Sequence, residues 1–392
     1  MFSATLRRTV KMSSTISSAP FSKAVVGAMR KLYPEALADK SWDNTGLLLE
    51  SPFDPIRRQM NSALLTIDLT KAVADEAIER GDSIIVAYHP IIFRGLKSLS
   101  LADTQQQTLL RLAAEGISVY SPHTAIDCAP GGLGDWLADI VSGTPMSAEE
   151  LAAQAEEDQQ DQKTKEPETP SNELKRPTFQ LQHHPSQLSI KDRTLKLGND
   201  THTRRPIKPS SVPGYQNTTA GMGRIVRFST PQPLLEIIDR IGRGLGNPKG
   251  FPIAIPQGKQ MDEIDISSVA ICAGSGGSLF GGLGKNGEED VDLLFTGELS
   301  HHEALAAIEQ GKCVIALFHS NTERGFLHGV LKPQLEKSVK EEWERIRKEK
   351  EKASSSALSE DYLEALEDDH IEIHVSEVDR DPYGIMISKD EI

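Results

Sequence analysis

Three apolar stretches of this chain end in side chains that bind metal ions. CVIALF (313–318) runs into His319 and, four positions on, Glu323; SIIVAY (83–88) runs into His89-Pro90; ISVYSP (117–122) runs into His123 and Asp127. In an open α/β sheet, ligands bind in the crevice outside the carboxyl ends of the strands, so polar groups delivered there outrank polar groups elsewhere. Imidazoles with carboxylates form the mixed nitrogen and oxygen donor set that zinc, iron, manganese or cobalt accepts, so a divalent metal ion is the expected cofactor. Thiolate ligation has no support, because Cys128, Cys272 and Cys313 are scattered without a C-x-x-C spacing.

Each of these groups has a competing structural reading. Pro90 restricts His89 to extended backbone and fixes the exit of its strand whether or not the imidazole is used. Ser320-x-x-Glu323 fits a capping box, in which the glutamate reaches back to the backbone N–H of the cap residue. His123 is either an orienting group or proton shuttle for a site at Asp127, or an anchor of its own loop. Glu298 and His301, in VDLLFTGELSHH, either reach the same region or cap the helix that starts near Ser300. Gly274-Ser-Gly-Gly277 is an anion nest or a tight strand-to-helix turn, and it lacks the Walker lysine. His319 and Asp127 are less ambiguous, since His319 breaks an apolar strand end and aspartate is poor inside regular structure. Their joint placement at three strand ends, more than any one residue, points to a cation.

The elements that would position them follow a strand-helix-strand rhythm. Residues 62–68 predict a strand, 70–80 a helix, 83–88 a strand, 103–115 a helix closed by Gly116, and 117–120 a strand. A second block resumes with a strand at 224–229, a helix from Pro231 to about 244, strands near 268–273 and 291–296, a helix over 300–310 and a strand at 312–318. A long charged helix near 323–352 and a final strand near 371–376 close the chain, the run around 341–356 reading as a solvated helix face. The expected fold class is α/β and two-lobed, each lobe a mixed, mostly parallel sheet flanked by helices.

Composition sets the limits. A chain of 392 residues is long enough for two domains or one large α/β unit, and 38% hydrophobic residues support a real core. No apolar run approaches the roughly 18–20 residues of a membrane-spanning helix. A formal charge of −14 disfavours a general nucleic-acid binder, and three unpatterned cysteines fit a reducing compartment. The first 34 residues hold Arg7, Arg8, Lys11, Lys23, Arg30 and Lys31 with no acid before Glu35, which fits either a mitochondrial transit segment or a disordered terminus of a cytoplasmic protein. The domains expected are a disordered or transit segment over 1–20, an N-terminal lobe over 21–146, a low-complexity insertion over 147–220 and a C-terminal lobe over 221–392. The insertion is acidic and poor in large apolar residues, so it is expected to be disordered. Such a segment does not preorganise ligands, and His183, His184 and His202 are set aside for that reason.

Read together, Ser41-Trp-Asp-Asn-Thr-Gly46-Leu, Tyr88-His89-Pro90, Ser121-Pro-His123-Thr-Ala-Ile-Asp127-x-Ala-Pro-Gly131-Gly, Thr296-Gly-Glu298-Leu-Ser-His301-His302, His319-Ser-Asn-Thr-Glu323-Arg-Gly325 and Ser376-Glu-Val-Asp379-Arg-Asp381-Pro resemble the GTP cyclohydrolase 1 type 2 homologues, also called NIF-three-like (NGG-one-interacting factor three) proteins. The resemblance spans both blocks and skips the insertion. It implies a two-lobed α/β unit, ring-shaped homohexamers and a dinuclear metal centre in the cleft between the lobes. It also implies that His89, Asp127, His319 and Glu323 are metal ligands. Many members have His-His-Pro where this chain has Tyr88-His89-Pro90, so a phenol stands in place of one imidazole and the two metal positions are expected to be unequal. The family label implies GTP cyclohydrolase activity, which opens the guanine ring and releases formate, although no spacing here identifies guanine. The reaction class expected of such a metal site is hydrolysis at a C=N, amide or phosphoester centre of a nucleotide or other phosphorylated small molecule, with Asp127, Glu323 and His123 as the catalytic groups. The alternative is a metal-stabilised scaffold that binds a protein partner in transcription.

Overall fold

Buried strands of branched apolar residues form two separate sheets, and each supplies the core of one compact unit. The computed structural model describes residues 17–57, 59–143, 179–183, 201–216, 218–285, 289–352 and 360–388. Neither unit is a single stretch of sequence. The first takes the chain up to Leu32, then Asn44–Pro122 and Lys332–His374; the second takes Tyr33–Asp43, His123–Leu331 and the chain from Val375 onward.

In the first unit, β1 (Gly46–Leu49), β2 (Met60–Thr66), β3 (Asp82–Ala87) and β4 (Ser118–Ser121) lie in the order β1-β4-β3-β2, with the late strand Glu372–Val375 beside β2. The pairings β2 with β3 and β3 with β4 are parallel, and β1 runs antiparallel to β4. Every residue of β3 and β4 is buried, as continuous apolar runs covered on both faces require. Helices Lys71–Arg80 and Thr104–Glu115 begin where Thr70 and Asp103 accept the N–H groups of Val73 and Gln106. Their inner faces join Leu64, Ile85 and Val119 in one cluster through Val73, Ala77, Leu109 and Leu112. Each such aliphatic side chain contributes about 1.5–3 kcal/mol when fully buried.

The boundaries read from the sequence were consecutive blocks, and the fold interleaves them. The charged helix Lys332–Lys352 belongs with the first unit, where Trp343 meets Phe21 of helix Pro20–Leu32 edge-on at 5.7 Å. Its other face is solvated, with Arg345 between Glu342 and Glu349. The predicted single helix from Glu323 is also broken: Asn321–Phe326 is α-helical, Leu327–Leu331 is a π turn, and Lys332 starts a new segment. Apolar periodicity reports that a helix has a face to bury, not which element receives it.

In the second unit, β5 (Phe179–Gln182) pairs with the C-terminal strand Ile385–Ser388, and β7 (Lys208–Pro209) pairs with β8 (Gly221–Met222). The main sheet holds β6 (His202–Arg205), β9 (Arg224–Pro233), β10 (Ile253–Ala254), β11 (Asp265–Ser275), β12 (Leu293–Glu298) and β13 (Cys313–Ala316) in the order β10-β13-β12-β11-β9-β6. β11, β12 and β13 run parallel, and the strands flanking them are antiparallel. Two mixed sheets flanked by helices thus form the fold, with the parallel pairings at the centre.

The strand β9 extends through Pro231, where the sequence predicted the first turn of a helix; the helix starts at Leu234. Chain order is also established earlier than the expected resumption at 221. Of the segment 147–220, residues 147–178, 184–200 and 217 lie outside the described residues, His184 among them, as do residues 1–16 at the N-terminus. His202–Arg205 nevertheless joins the sheet as an edge strand, where Arg204 reaches Asp139 and Arg205 reaches Glu289, each at 2.6 Å. Ladder hydrogen bonds and ion pairs hold this strand, and a count of apolar residues does not register them. No helix among the described residues is long and apolar enough to cross a membrane.

Candidate metal centre

The parallel strands of the second unit bring their carboxyl ends to one place. β12 ends at Glu298, and β13 is followed by Leu317, Phe318 and His319. His319 Nδ1 lies 2.9 Å from Glu298 Oε1. A ring whose Nδ1–H donates to a carboxylate presents Nε2 to a cation, and this carboxylate-histidine pairing is the usual support of a metal-binding imidazole. Glu323 follows one helical turn later, buried in the helix Asn321–Phe326. The ligand atoms of His319 and Glu323 fall within 4.8 Å of one another, a His/Glu group that could hold a metal ion.

Glycine makes room for this pair. Gly274, at φ 60°, ends the straight part of β11, and a Cβ there would stand 3.1 Å from Glu323 Oε1 and 3.2 Å from His319 Nε2. The space a methyl group would take is therefore faced by both candidate donor atoms. Gly297 lets the strand end close further, since a Cβ on it would meet the carbonyl oxygens of His319 at 2.5 Å and Gly274 at 2.7 Å. Phe318 takes a left-handed backbone, φ 66°, immediately before His319. That conformation is a genuine outlier for a bulky residue and costs of the order of 1–3 kcal/mol, the kind of strain that collects at functional sites.

Three of the competing readings are decided by hydrogen bonds. Ser320 makes no side-chain cap bond, so Glu323 is not part of a capping box. The capping box lies instead at Ser300 and Glu303, one turn into the helix His301–Glu309, which leaves Glu298 to His319 and places His301 on the surface beside His302. The glycine loop is a tight turn rather than an anion nest: Gly274 N–H donates to Thr322 Oγ1 at 3.0 Å and Gly276 N–H to Glu298 O at 3.3 Å.

Asp127 lies in the second unit, half-buried in the short helix Thr124–Cys128. Burial first, and then the negative charges of Asp127 and Glu323, push the Cys272 thiol well above its ordinary pKa. Cys128 is pushed up to about 12 by burial and by Asp127. All three cysteines are buried and free, and thiols held protonated in this way are inert. His123 sits with φ 31°, its Nδ1 2.7 Å from Asp43 Oδ1, while Trp42 meets the ring edge-on. Burial works to raise the Asp43 carboxyl, but the bonds from His123 and Thr124 outweigh it and hold the group below the usual range. This arrangement fixes the loop that leads to Asp127.

His89 and Tyr88 belong to the first unit, at the end of β3. Tyr88 is buried, its ring edge-on to His89 at 5.0 Å. His89 Nδ1 lies 2.9 Å from Asp68 Oδ1, the same support that Glu298 gives His319. Asp68, which the sequence did not single out, and Glu298, which it left open, are the carboxylates that support the two imidazoles. Both follow an apolar strand, in SALLTID and LLFTGE, and that position was the available signal.

The fold and the carboxylate-supported imidazoles place this chain among α/β proteins built around a histidine-carboxylate group suited to a cation. Residues 22–354 match the model of the Duf34/NIF3 (NGG1p interacting factor 3) family, and the chain belongs to that family. It is 40% identical over 332 residues to the Schizosaccharomyces pombe "Protein NIF3 homolog", covering 83% of this chain and 93% of that one. It is 36% identical over 330 residues to the Saccharomyces cerevisiae "NGG1-interacting factor 3", with the same coverage of 83% and 93%. Among solved structures, a Bacillus cereus protein related to NIF3 superimposes with a TM-score of 0.56 at 18% identity, covering 95% of this chain and 100% of that one. At that identity the likeness speaks for the fold.

Proposed function

We propose that this protein holds one or two divalent cations through His89, Asp127, His319 and Glu323 and uses them in hydrolysis of a nucleotide or another phosphorylated small molecule. The observation that carries the reading is the support of His319 by Glu298 beside the buried Glu323. A cation so held lowers the pKa of water it coordinates from 15.7 to about 7, the requirement for hydrolysis at neutral pH. Glu298 and Asp68 orient the two rings, Glu323 and Asp127 supply negative charge, and His123 with Asp43 anchors the loop that presents Asp127. We assign the chain to a homo-oligomer on the family resemblance.

A second reading is a metal-stabilised scaffold for a protein partner, favoured by the name of the Saccharomyces cerevisiae relative, which is an interacting factor. Turnover separates the two. Metal-dependent hydrolysis of any member of a panel of nucleotides and phosphoesters, lost in His319→Ala, supports the enzyme. A wild-type protein that binds metal tightly, loses stability without it and turns over none of the panel supports the scaffold.

Two expectations follow for the cation itself. With Tyr88 where a second imidazole would stand, one ion per chain is expected to survive dialysis against a mild chelator while the second is lost; two retained ions, counted by elemental analysis, would refute this. Glu298→Gln keeps the size of the side chain and removes its charge, and it is expected to weaken divalent-cation binding about 10–100-fold in a competition titration. An unchanged affinity would mean that Glu298 does not tune the ring.

A further inference from the structure

After its excursion through Lys332–His374 the chain returns to the second unit at Val375, and it brings two buried aspartates with it. Asp381 Oδ2 accepts the backbone N–H of Ser320 at 3.1 Å and its hydroxyl at 2.7 Å. Asp379 Oδ2 lies 2.8 Å from Arg324 Nη1, and Arg324 Nη2 donates to Ser320 Oγ at 2.9 Å. Ser320 directly follows His319, and Arg324 directly follows Glu323. Each candidate ligand is thus flanked by a residue fastened to the C-terminal segment. That segment is itself braced, since Asp379 N–H donates to Ser376 Oγ at 3.2 Å and Tyr383 N–H to Asp381 Oδ1 at 2.9 Å. The remaining residues of the turn are tied locally: Asn321 Nδ2 donates to Leu317 O at 2.7 Å, and Thr322 Oγ1 accepts from Gly274 N–H at 3.0 Å.

We propose that Asp379 and Asp381 are positioning residues of the cation site, setting the directions of His319 and Glu323 through Ser320 and Arg324. The inference rests on the reading of His319 and Glu323 as metal ligands. Ser320, Arg324, Asp379 and Asp381 are at most 6% exposed, and burying such ions costs several kcal/mol each before their attraction is counted. Apolar contacts would hold the turn against the sheet without that cost. They would not fix the orientation of two side chains, whereas hydrogen bonds, which weaken steeply with angle, do. Directional bonds at Ser320, from Asp381 and Arg324, together with the ion pair that holds Arg324 on Asp379, are the kind of support a preorganised ligand pair requires.

The test uses the full-length protein titrated with Co(II), whose visible absorption reports coordination geometry. The variants are Asp381→Asn and Ser320→Ala, with thermal unfolding of the metal-free protein followed in parallel. Both are expected to lose about 10–100-fold in Co(II) affinity and to shift the absorption band, while metal-free unfolding stays cooperative. Wild-type affinity and an unshifted band in both variants would overturn the proposal. Should Asp381→Asn fail to fold, Ser320→Ala decides alone, because it removes the hydroxyl that joins Arg324 to Asp381 and leaves the backbone bond in place. A wild-type protein that takes up no Co(II) defeats the metal reading itself; wild-type binding matched by both variants defeats only the positioning role.

Discussion

Arg224→Ala is expected to destabilise the protein by about 3–5 kcal/mol, the cost of leaving a buried charge without its partner. The Arg224 guanidinium is fully buried at the start of β9 and donates to both oxygens of Asp135, at 2.7 and 3.1 Å. It also donates to the carbonyls of Gly221 at 2.7 Å and Gly223 at 2.8 Å. Burial acts to raise the Asp135 carboxyl, but Arg224, the N–H of Gly131 and Arg204 outweigh it and hold the group below the ordinary carboxylate range. A depressed carboxylate stabilises the fold above its unfolded pKa of about 3.9, and that contribution is lost as pH falls through the lower native value. Denaturant unfolding at neutral pH checks the magnitude, and a midpoint within 1 kcal/mol of wild type, by the usual linear relation, contradicts it. Replacing both partners together, as Arg224→Met with Asp135→Leu, is expected to recover much of the loss, because an apolar pair needs no compensating charge. The pair also bears on the candidate site: Arg224 Nη2 donates to Ala129 O at 3.4 Å, two residues beyond Asp127.

The other large effect is expected at the ligands. His319→Ala and Glu323→Ala each delete a donor, and each is expected to cost more divalent-cation affinity than the about 10–100-fold that follows loss of a supporting partner. Isothermal titration with Zn(II) or Co(II) measures this directly. The two changes should not be additive, since either leaves the other ligand facing an incomplete site. Glu323→Ala also removes a buried carboxylate, so the metal-free variant should be no less stable than His319→Ala; a variant that keeps wild-type affinity would remove its residue from the ligand set.

Much of this was legible in the sequence, for identifiable reasons. SIIVAY and ISVYSP are continuous apolar runs too short for helices, and they became the buried strands β3 and β4. Thr70 and Asp103 marked helix starts because a side-chain oxygen at the cap position satisfies an otherwise open N–H. His319 stood out because an imidazole breaks the end of an apolar strand, whereas Glu323 had the capping box as a rival reading that only the structure decides. The supporting carboxylates were harder to see. Asp68 is 21 residues from His89, Glu298 is 21 residues from His319, and Asp381 is 61 residues from Ser320, and no local pattern encodes a pairing at such separations. The helix Lys332–Lys352 was expected in the C-terminal lobe for the same reason, since its place in the first unit depends on Trp343 meeting Phe21. Ser320 and Ser300 both fit Ser-x-x-Glu; the box forms at Ser300, whereas at Ser320 the hydroxyl has a buried aspartate to bind instead.

The most direct measurement is diffraction from crystals grown with a single added divalent metal, with data collected on both sides of its absorption edge. An anomalous peak within coordination distance of His319 Nε2 and Glu323 Oε1 is the result expected. A peak bound elsewhere, or full-length protein that crystallises at saturating metal with no anomalous density at these two atoms, would contradict the assignment of a metal centre.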